Sequence, residues 1–490
     1  MKKIHFVKGN RENGLTPIIS DWMRSIMNDP DLIDGLLAKY GSPINIIHRD
    51  SFANNISDFG ELFKNLGLTS QIFYARKANK CKAFVAQALR SGIGVDTASE
   101  RELSQSIAMG ATGKDLVLTA AIKTEPQIRL AIENGVPIIL DNTDECQLVS
   151  HLASAMGREA LVGFRVSGFT VEGKKRYSRF GFDVEQVASY IESTVGEGKP
   201  FENLRTVGLH FHLDGYSVLQ RSVALLDCIS IVKKLRAKGY PLRFIDIGGG
   251  ILINYLAHKT EWQNFDARLR QSVKGESEPI TFGNNGLGYE LTDGNVSGKL
   301  ATYPYYNETN GREFLKKILN YGDDSIQSIA EQLRNEGIEI RIEPGRSLLD
   351  QTGITIARVI HRKKDVNGQW LVGLEMNMSQ MMSSSADFLL DPYLIFETPP
   401  GEDDEIEVYF TGAYCLERDV LLKRKITLPK LPEIDDKVVF VNTAGYMMHF
   451  FETQAHGFDL ARNLILTDDY SPISVENFID DNQIGGFAAN

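Results

Sequence analysis

The sequence predicts an α/β protein in which a TIM-like (β/α)8 barrel is followed by a mainly β C-terminal domain. From about residue 46 to residue 346, short β-rich apolar runs alternate with helix-period segments, the pattern of parallel βα units. After residue 347 this alternation stops, and strand-like runs follow one another with few helical segments between them. The 490 residues leave room for both domains, since a barrel takes roughly 250 residues.

Eight strand-like runs form the predicted barrel, which favours a closed barrel over an open doubly wound sheet. Helix-period segments separate them, and several end at a glycine, the residue that helix C-termini prefer. The predicted helices include residues 82–91, 100–109, 125–134 and 218–238. The predicted strands are residues 72–77, 93–96, 116–119, 137–141, 161–166, 207–212, 244–247 and 338–343.

Three further segments complete the predicted organisation. Residues 1–45 form an N-terminal segment, largely helical, that we expect to pack with the β domain, and the strand-like residues 44–48 follow its helices. The seventh βα connection spans roughly 90 residues, too long for a structureless loop, so we expect an insertion at about 254–325 near the barrel mouth. Residues 347–490 form the β domain, with strands at 354–361, 370–376, 406–410, 420–427 and 437–442.

Composition excludes several classes of protein. The chain is 42% hydrophobic and 24% charged, which is ordinary for a globular enzyme, and no apolar run approaches the ~20 residues of a membrane helix. Its first residues lack the apolar core of a secretion signal. The four cysteines lack paired spacing, which fits a reducing compartment and excludes a cysteine-rich zinc module. A net charge of −11 without a basic stripe argues against nucleic acid. We therefore expect a cytoplasmic protein.

Chemically useful groups gather at the predicted strand ends, which is where barrel enzymes place their active sites. Each has an ordinary explanation alone, but one ligand suits them all. A run of three glycines leaves backbone N–H groups free to approach a phosphate, and a lysine can form a Schiff base with an aldehyde. A carboxylate can pair with a pyridinium nitrogen, and an imidazole can stack on its ring. The ligand is pyridoxal 5′-phosphate (PLP), and the groups are Lys77, Asp96, Arg165, His212, Gly248, Gly249, Gly250, Glu343 and Arg346.

Several motifs resemble those of the fold-type III PLP-dependent decarboxylases, the group of diaminopimelate and ornithine decarboxylases. That family pairs an alanine-racemase-like barrel with a β domain, and the resemblance runs from about Tyr40 to about Asn463, apart from the insertion. The motifs, in chain order, are Tyr-Ala-Arg-Lys-Ala-Asn ending at Asn79, Gly-Val-Asp-Thr-Ala-Ser ending at Ser99, Ser-Arg-Phe-Gly ending at Gly181, Leu-His-Phe-His ending at His212, the glycines 248–250, Glu-Pro-Gly-Arg ending at Arg346, Cys-x-x-x-Asp from Cys415 to Asp419, and Ala-Gly-Tyr ending at Tyr446.

The resemblance implies a role for each of these residues. Lys77 would be the Schiff-base lysine, His212 would stack on the pyridine ring, and Glu343 would pair with its nitrogen. Cys415 would cross from the partner subunit of a homodimer. The remaining implied cofactor contacts are Asp96, Arg165, Gly248, Gly249, Gly250, Gly345, Arg346 and Tyr446, and the implied substrate contacts are Arg346, Cys415, Glu417 and Asp419.

Three departures from the family bear on the substrate and on the phosphate. The serine that follows the stacking histidine is absent, with Ser217 a candidate substitute. The recognition carboxylate that follows the cysteine is lost or shifted to Glu417. Met378-Ser379 begins like the diaminopimelate motif but continues with Gln380, so the arginine for a distal carboxylate is missing. We therefore expect decarboxylation of a non-standard or conjugated amino acid, with Cys415 returning a proton to Cα.

Three alternatives stay open from the sequence. An amino-acid racemase could use the same barrel, although racemase-type sites place an arginine where Glu343 would lie. A metal-dependent hydrolase could use His210 and His212, which share one face of a strand and could bind zinc. A non-catalytic PLP-binding homologue could act in regulation. Release of CO2 separates decarboxylation from the racemase and from the non-catalytic homologue, and metal analysis tests the hydrolase.

Overall fold

The structure is a computed structural model that describes residues 6–322, 327–382, 388–401, 405–467 and 473–484. The predicted end of the insertion, residue 325, lies outside these ranges. The chain begins with β1 (Phe6–Lys8), α1 (Asp21–Met27), α2 (Pro30–Tyr40) and β2 (Ile44–His48). The barrel region has the helices α3 (Arg49–Asn65), α4 (Lys82–Arg90), α5 (Glu100–Ala108), α6 (Glu125–Glu133), α7 (Thr143–Ala155), α8 (Val187–Thr194), α9 (Val218–Arg236), α10 (Lys259–Lys274), α11 (Gly311–Leu319) and α12 (Ile329–Glu336).

The strands fall into a barrel region and a C-terminal region. The barrel region contains β3 (Ser70–Ala75), β4 (Gly94–Thr97), β5 (Leu116–Leu118), β6 (Ile138–Leu140), β7 (Ala160–Ser167), β8 (Thr170–Val171), β9 (Lys174–Lys175), β10 (Phe182–Asp183), β11 (Leu204–His210), β12 (Phe244–Asp246), β13 (Tyr289–Thr292), β14 (Asn295–Gly298) and β15 (Glu339–Ile342). The C-terminal region contains β16 (Gly353–Lys364), β17 (Trp370–Leu374), β18 (Tyr393–Ile395), β19 (Ile406–Thr411), β20 (Ile426–Leu428), β21 (Lys437–Val441), β22 (Arg462–Leu466) and β23 (Phe478–Asp480).

Eight parallel strands close into the predicted barrel. Their order is β7-β11-β12-β15-β3-β4-β5-β6, and β6 pairs with β7 to complete the ring. Each strand overlaps one of the eight runs that the sequence predicted, so the barrel prediction is confirmed. Between the strands, α4, α5, α6 and α9 lie where the sequence predicted helices.

The alternation of side chains along each strand separates a helix-facing core from the barrel interior. Ile245, Ile340 and Ile342 belong to the large core between the strands and the surrounding helices. A smaller cluster with Phe73 and Phe244 belongs to a separate core, the barrel interior. Burying each such side chain contributes about 1.5–3 kcal/mol. Polar side chains in the inward register near the strands' carboxyl ends are thereby directed into the barrel mouth.

The second domain is mainly β, as predicted. A ten-stranded sheet has the central order β1-β18-β21-β16-β17-β19-β20. The predicted boundary after residue 45 divides β2, which lies wholly in this sheet because it pairs with β16 and β22. The N-terminal segment is also tied to this domain through the buried carboxylate of Asp391, which accepts from Lys8 Nζ and Arg424 Nη1, each at 2.9 Å.

The long seventh connection has structure of its own. It contains α10, the hairpin β13–β14 and α11, and α11 packs against α9 in the helical layer of the barrel. Tyr255, Tyr303 and Tyr305 join the core of the β domain. The backbone N–H of Phe282 donates to Lys423 O at 2.7 Å, which links this connection to the β domain. Across the described residues, no helix combines the length and apolarity required to span a membrane.

Candidate active site

A pocket of about 680 Å³ opens at the carboxyl ends of the barrel strands. Parallel pairing explains why predicted residues meet there, because His210 is in register with both Arg165 and Asp246, and Ala75 is in register with Asp96. Residues that follow these positions reach the mouth together. The predicted residues that line the pocket are Lys77, Arg165, His212, Gly249, Gly250, Glu343, Gly345, Arg346 and Tyr446.

Lys77 lies in a single 3-10 turn, Arg76–Ala78, directly after β3. The buried Tyr74 hydroxyl donates to Asn79 O at 2.9 Å and fixes the exit from this turn. Lys77 Nζ donates to Asp96 Oδ2 at 3.0 Å. Burial alone would lower the pKa of the Lys77 ammonium, but the carboxylates of Asp96 and Glu343 outweigh burial and raise it. The amine is therefore held at the pocket by its carboxylate partner.

Glu343 lies in a buried cluster with His210 and Asp246, whose ligand-type atoms are all within 4.8 Å of one another. His210 Nε2 is 3.2 Å from Glu343 Oε1. Burial, followed by the charge of Asp96, raises the pKa of Glu343 to about 8. Burial, followed by the charge of Glu343, likewise raises the pKa of Asp246 to about 8. Apart from this close approach of His210, Glu343 Oε1 has no hydrogen-bond partner among the described atoms, and Glu343 lines the pocket in which a cationic N–H could bind.

The turn formed by residues 248–250 requires glycine, because of its backbone conformation and its close neighbours. Gly248 and Gly250 have φ values of +66° and +77°, in the left-handed region that glycine tolerates. A Cβ at position 249 would lie 2.6 Å from Glu343 O. Gly249 N–H donates to His212 Nδ1 at 3.3 Å, and burial lowers the pKa of His212, so its ring is neutral. The turn thus presents close backbone next to a flat imidazole.

Arg346 is held rigidly on the other side of the pocket. Its Nη1 donates to Tyr255 Oη and to Gly445 O, each at 3.1 Å. Its guanidinium lies 4.4 Å from the ring centre of Tyr303 and 5.1 Å from that of Tyr446. A Cβ at position 345 would lie 2.9 Å from the Tyr446 hydroxyl. Glycine at this position therefore lets Tyr446 approach the pocket.

Arg165 follows from β7 on the neighbouring wall. Its Nη1 is 3.9 Å from Asp141 Oδ1, and its guanidinium lies 4.1 Å from the ring centre of Phe180. Burial lowers its pKa, although the guanidinium stays charged at neutral pH. Arg165 therefore supplies a fixed positive charge to the pocket.

These groups fit PLP. Gly249 and Gly250 line the pocket, and backbone without side chains can approach a phosphate closely. Glu343 carries an unpartnered oxygen suited to a pyridinium N–H, and the Lys77 amine faces the same pocket. A neutral imidazole at His212 suits a ring stacked against it. Two independent features therefore suit the two ends of PLP: the Glu343 carboxylate suits the pyridinium nitrogen, and the glycine turn suits the phosphate.

The predicted residues of the β-domain loop are not brought to this pocket within one chain. Cys415 and Glu417 are exposed, and neither lines the pocket. The Asp419 carboxylate is buried and accepts from the backbone N–H groups of Met378 and Tyr414, each at 2.7 Å. In this chain Asp419 therefore shapes the loop that carries Cys415.

Local geometry bears on two further expectations, a phosphate contact from Ser217 and a zinc site at His210 and His212. Ser217 Oγ accepts from Gln220 N–H at 3.2 Å and caps α9, so its oxygen is engaged in the helix. His212 is not part of the cluster of potential metal ligands formed by His210, Asp246 and Glu343. The arrangement therefore gives no support to a zinc site built on both imidazoles.

Sequence reasoning missed several contributors to the site. Tyr255 and Tyr303 come from the long connection, whose sequence has no periodicity that would place them. Asp246 could have been found, because it occupies the inward register of β12 two residues before the first glycine. Arg221 lies behind the glycine turn, but nothing in the sequence distinguishes it from the other basic residues of α9.

Comparison with known proteins agrees with this geometry. Residues 50–279 match the family described as pyridoxal-dependent decarboxylase, pyridoxal binding domain. An uncharacterized protein of Sinorhizobium fredii is 28% identical over 469 residues, covering 93% of this chain and 95% of the relative. Diaminopimelate decarboxylase of Bacillus subtilis is 22% identical over 455 residues, covering 90% and 88%.

Solved structures share the fold. Diaminopimelate decarboxylase from Helicobacter pylori in complex with L-lysine superposes with a TM-score of 0.65 at 19% identity, covering 92% of this chain and 95% of that one. Lysine/ornithine decarboxylase from Vibrio vulnificus in complex with putrescine gives 0.64 at 19%, covering 92% and 99%. The match over residues 50–279, the motifs and the barrel with its β domain together support a fold-type III PLP-dependent amino-acid decarboxylase, with PLP as its cofactor.

Proposed function

We propose that this protein is a homodimeric decarboxylase that uses PLP to remove CO2 from a non-standard or conjugated amino acid. The observation that carries the proposal is Glu343, a buried carboxylate with an unpartnered oxygen that shares one pocket with Lys77 and the glycine turn. A carboxylate at this position favours a protonated pyridine ring, which decarboxylation uses fully. Glu343 therefore disfavours a racemase, because racemase-type sites place an arginine at this position.

The residues of the chain have separable roles. When bound, PLP supplies the electron sink that makes loss of the substrate carboxylate as CO2 feasible. Lys77 would hold the cofactor aldehyde through its amine, which Asp96 orients by accepting its hydrogen bond. Glu343 holds a proton at the pyridine nitrogen through its negative charge. His212 would hold the ring by stacking, and Arg346 and Tyr446, which line the same pocket, would help to hold the phosphate.

Cys415 from a second copy of the chain would complete the site by donating a proton to the substrate Cα, since a thiol is a suitable proton donor near neutral pH. Its loop lies beside exposed apolar side chains, and one of them, Phe450, packs against Tyr446 of the pocket at 5.7 Å between ring centres. A second copy of the chain would bury this surface. The exposed apolar residues, each 37–45% accessible, are Leu416, Phe450, Phe451, Phe458 and Leu460.

The substrate would carry a distal anion rather than a distal ammonium. Among the residues that line the pocket, the carboxylates are Asp214 and Glu343, and Glu343 is assigned to the cofactor. The mouth carries Arg176 and Arg179 instead, together with Lys175, which pairs with Asp183 at 2.6 Å. An ammonium would meet these like charges, whereas a carboxylate or a phosphate would be attracted.

The cofactor assignment is tested by Lys77→Ala. Purified wild-type protein should show the visible absorbance of lysine-linked PLP, and the variant should lose that absorbance together with CO2 release. Lys114→Ala, an exposed lysine outside the pocket, serves as the matched control and should retain both. An unchanged spectrum in Lys77→Ala would refute the covalent role of this residue.

The substrate class is tested with amino acids whose side chains end in an ammonium, an amide, a carboxylate or a phosphate-bearing conjugate. We expect CO2 release to be greatest with the anionic ends and to weaken in Arg176→Ala. A preference for lysine or ornithine would contradict the substrate proposal. Inversion without CO2 would indicate a racemase, and PLP binding without turnover of any substrate would indicate a non-catalytic homologue.

A further inference from the structure

Arg221 is a fully buried cation behind the glycine turn. It lies near the N-terminal end of α9 and is 1% exposed. Its Nη2 donates to Leu213 O at 3.3 Å and to Gly249 O at 3.5 Å. A Cβ at position 250 would lie 2.3 Å from this nitrogen, so the guanidinium fills the space directly behind the turn. Arg221 thereby joins the loop after β11 to the loop after β12.

No anion balances this charge within the described part of the chain. Arg221 forms no ion pair there, and its Nε and Nη1 are buried without hydrogen-bond partners. Burial lowers its pKa to about 10, with only weak opposition from Tyr216 and the exposed Asp214, so it is protonated at neutral pH. A buried charge without a counter-ion is unfavourable, and an anion bound nearby would relieve it.

The glycine turn in front of Arg221 is where the site would hold the cofactor phosphate. The family serine next to the stacking histidine is replaced by Leu213, and the Ser217 hydroxyl is engaged in capping α9. The turn therefore lacks one hydroxyl donor but has a guanidinium directly behind it. Because low polarity around the turn strengthens electrostatic attraction, that charge would act on a phosphate through the intervening backbone.

We propose that Arg221 is a positioning residue for the phosphate of PLP, which clamps the loop at Leu213 to the glycine turn and supplies the positive charge that the phosphate dianion requires. The proposal rests on the cofactor and not on the reaction that the enzyme catalyses. If Arg221 had only a structural role, its replacement would weaken the binding of charged and uncharged ligands equally. Binding of PLP and of pyridoxal, which lacks the phosphate, therefore tells the two roles apart.

The test measures the affinity of cofactor-free protein for PLP and for pyridoxal by fluorescence titration. In Arg221→Met, which keeps much of the side-chain volume without the charge, we expect the Kd for PLP to rise about tenfold or more and the Kd for pyridoxal to change little. Arg221→Lys keeps the charge and should retain most of the preference for PLP. Arg129→Met is the matched control: this half-buried arginine on α6 pairs with Glu125 outside the pocket, so the substitution should change neither affinity.

Two results would overturn the proposal: equal weakening of both ligands in Arg221→Met, or an unchanged affinity for PLP. If Arg221→Met does not fold, Arg221→Gln and Arg221→Lys give the same comparison between a neutral and a charged side chain. Inorganic phosphate provides a second measurement, since it should compete with PLP for the wild-type protein and less well for the neutral variant. None of these measurements depends on CO2 release, so they stand apart from the test of decarboxylation.

Discussion

Replacing Glu343 with glutamine should change stability and activity in opposite directions. In the cofactor-free protein this carboxyl is 2% exposed, and burial, followed by the charge of Asp96, disfavours its charged form and raises its pKa to about 8. The unfolded chain has an ordinary glutamate pKa, near 4.3. A raised carboxyl pKa means that its contribution to stability is complete below about pH 4 and is lost as the pH rises towards 8.

The size of the effect follows from the two pKa values. Between the ordinary value and pH 7 the folded protein keeps a proton that the unfolded chain releases, and each pH unit is worth about 1.4 kcal/mol. At pH 7 the wild-type protein is therefore less stable by about 4 kcal/mol than it is below pH 4 on account of this group. Glutamine has no charge to bury, so Glu343→Gln should regain a stability of this order. Activity should fall by about a hundredfold, the usual loss when one aligned charge is removed from a catalytic site.

Urea unfolding of cofactor-free protein between pH 5 and pH 9 measures the first effect, and CO2 release measures the second. The wild-type midpoint should decline with pH more steeply than that of Glu343→Gln. Glu133→Gln removes an equal charge from the exposed surface of α6 and should leave both the slope and the turnover unchanged. Parallel slopes in wild type and Glu343→Gln would refute the assignment of a buried, proton-retaining carboxyl at this position.

Three other substitutions have direct outcomes. Gly250→Ala should weaken PLP binding about tenfold or more in a titration, because a left-handed alanine costs about 1–2 kcal/mol and its Cβ meets the Arg221 guanidinium. Gly173→Ala is the control, since Gly173 has a similar φ but open space around it, and it should leave PLP binding unchanged. Asp391→Ala should lower the free energy of unfolding in urea by about 3–5 kcal/mol, since it leaves two cations without their buried partner. Cys415→Ala should leave the unfolding midpoint nearly unchanged, as the side chain is exposed, while CO2 release falls.

The barrel could be predicted because its information is local and periodic. An apolar run predicts each strand, and apolar residues at helical spacing predict each helix. The number of βα units, eight, predicts that the sheet closes into a barrel. The same logic located Lys77, Asp96 and Glu343, since parallel strands bring their carboxyl ends to one face. Pairing between distant segments has no such local pattern, which is why β2 was divided by the predicted boundary although it pairs with β16 in the other sheet.

The parts of the site that escaped prediction arise from tertiary packing. Tyr255 and Tyr303 hold Arg346 only because the long connection folds back over the barrel mouth and joins the core of the β domain. Arg221 becomes important through its burial behind the glycine turn, and burial of one cation on a helix cannot be read from spacing. Sequence therefore located groups at the pocket and missed those that hold these groups in place.

The separation of Cys415 from the pocket of its own chain leads to a prediction about subunit mixing. If a second chain supplies the thiol, Lys77→Ala and Cys415→Ala disable different halves of each site. A mixed dimer then contains one site with both defects and one intact site. Random exchange would produce mixed dimers as about half of the total, so about a quarter of the wild-type number of sites should be intact.

The measurement is CO2 release after the two inactive variants are mixed and allowed to exchange subunits. The control is a mixture of Lys77→Ala with Glu343→Gln, whose substitutions lie in the same pocket of one chain. Every site in that mixture keeps one defect, so it should recover no activity beyond that of its parents. Recovery in the first mixture alone requires that the thiol acts across the interface. Equal behaviour of the two mixtures, under conditions where exchange is verified, would contradict a shared site and leave the proton at Cα to a donor within the same chain.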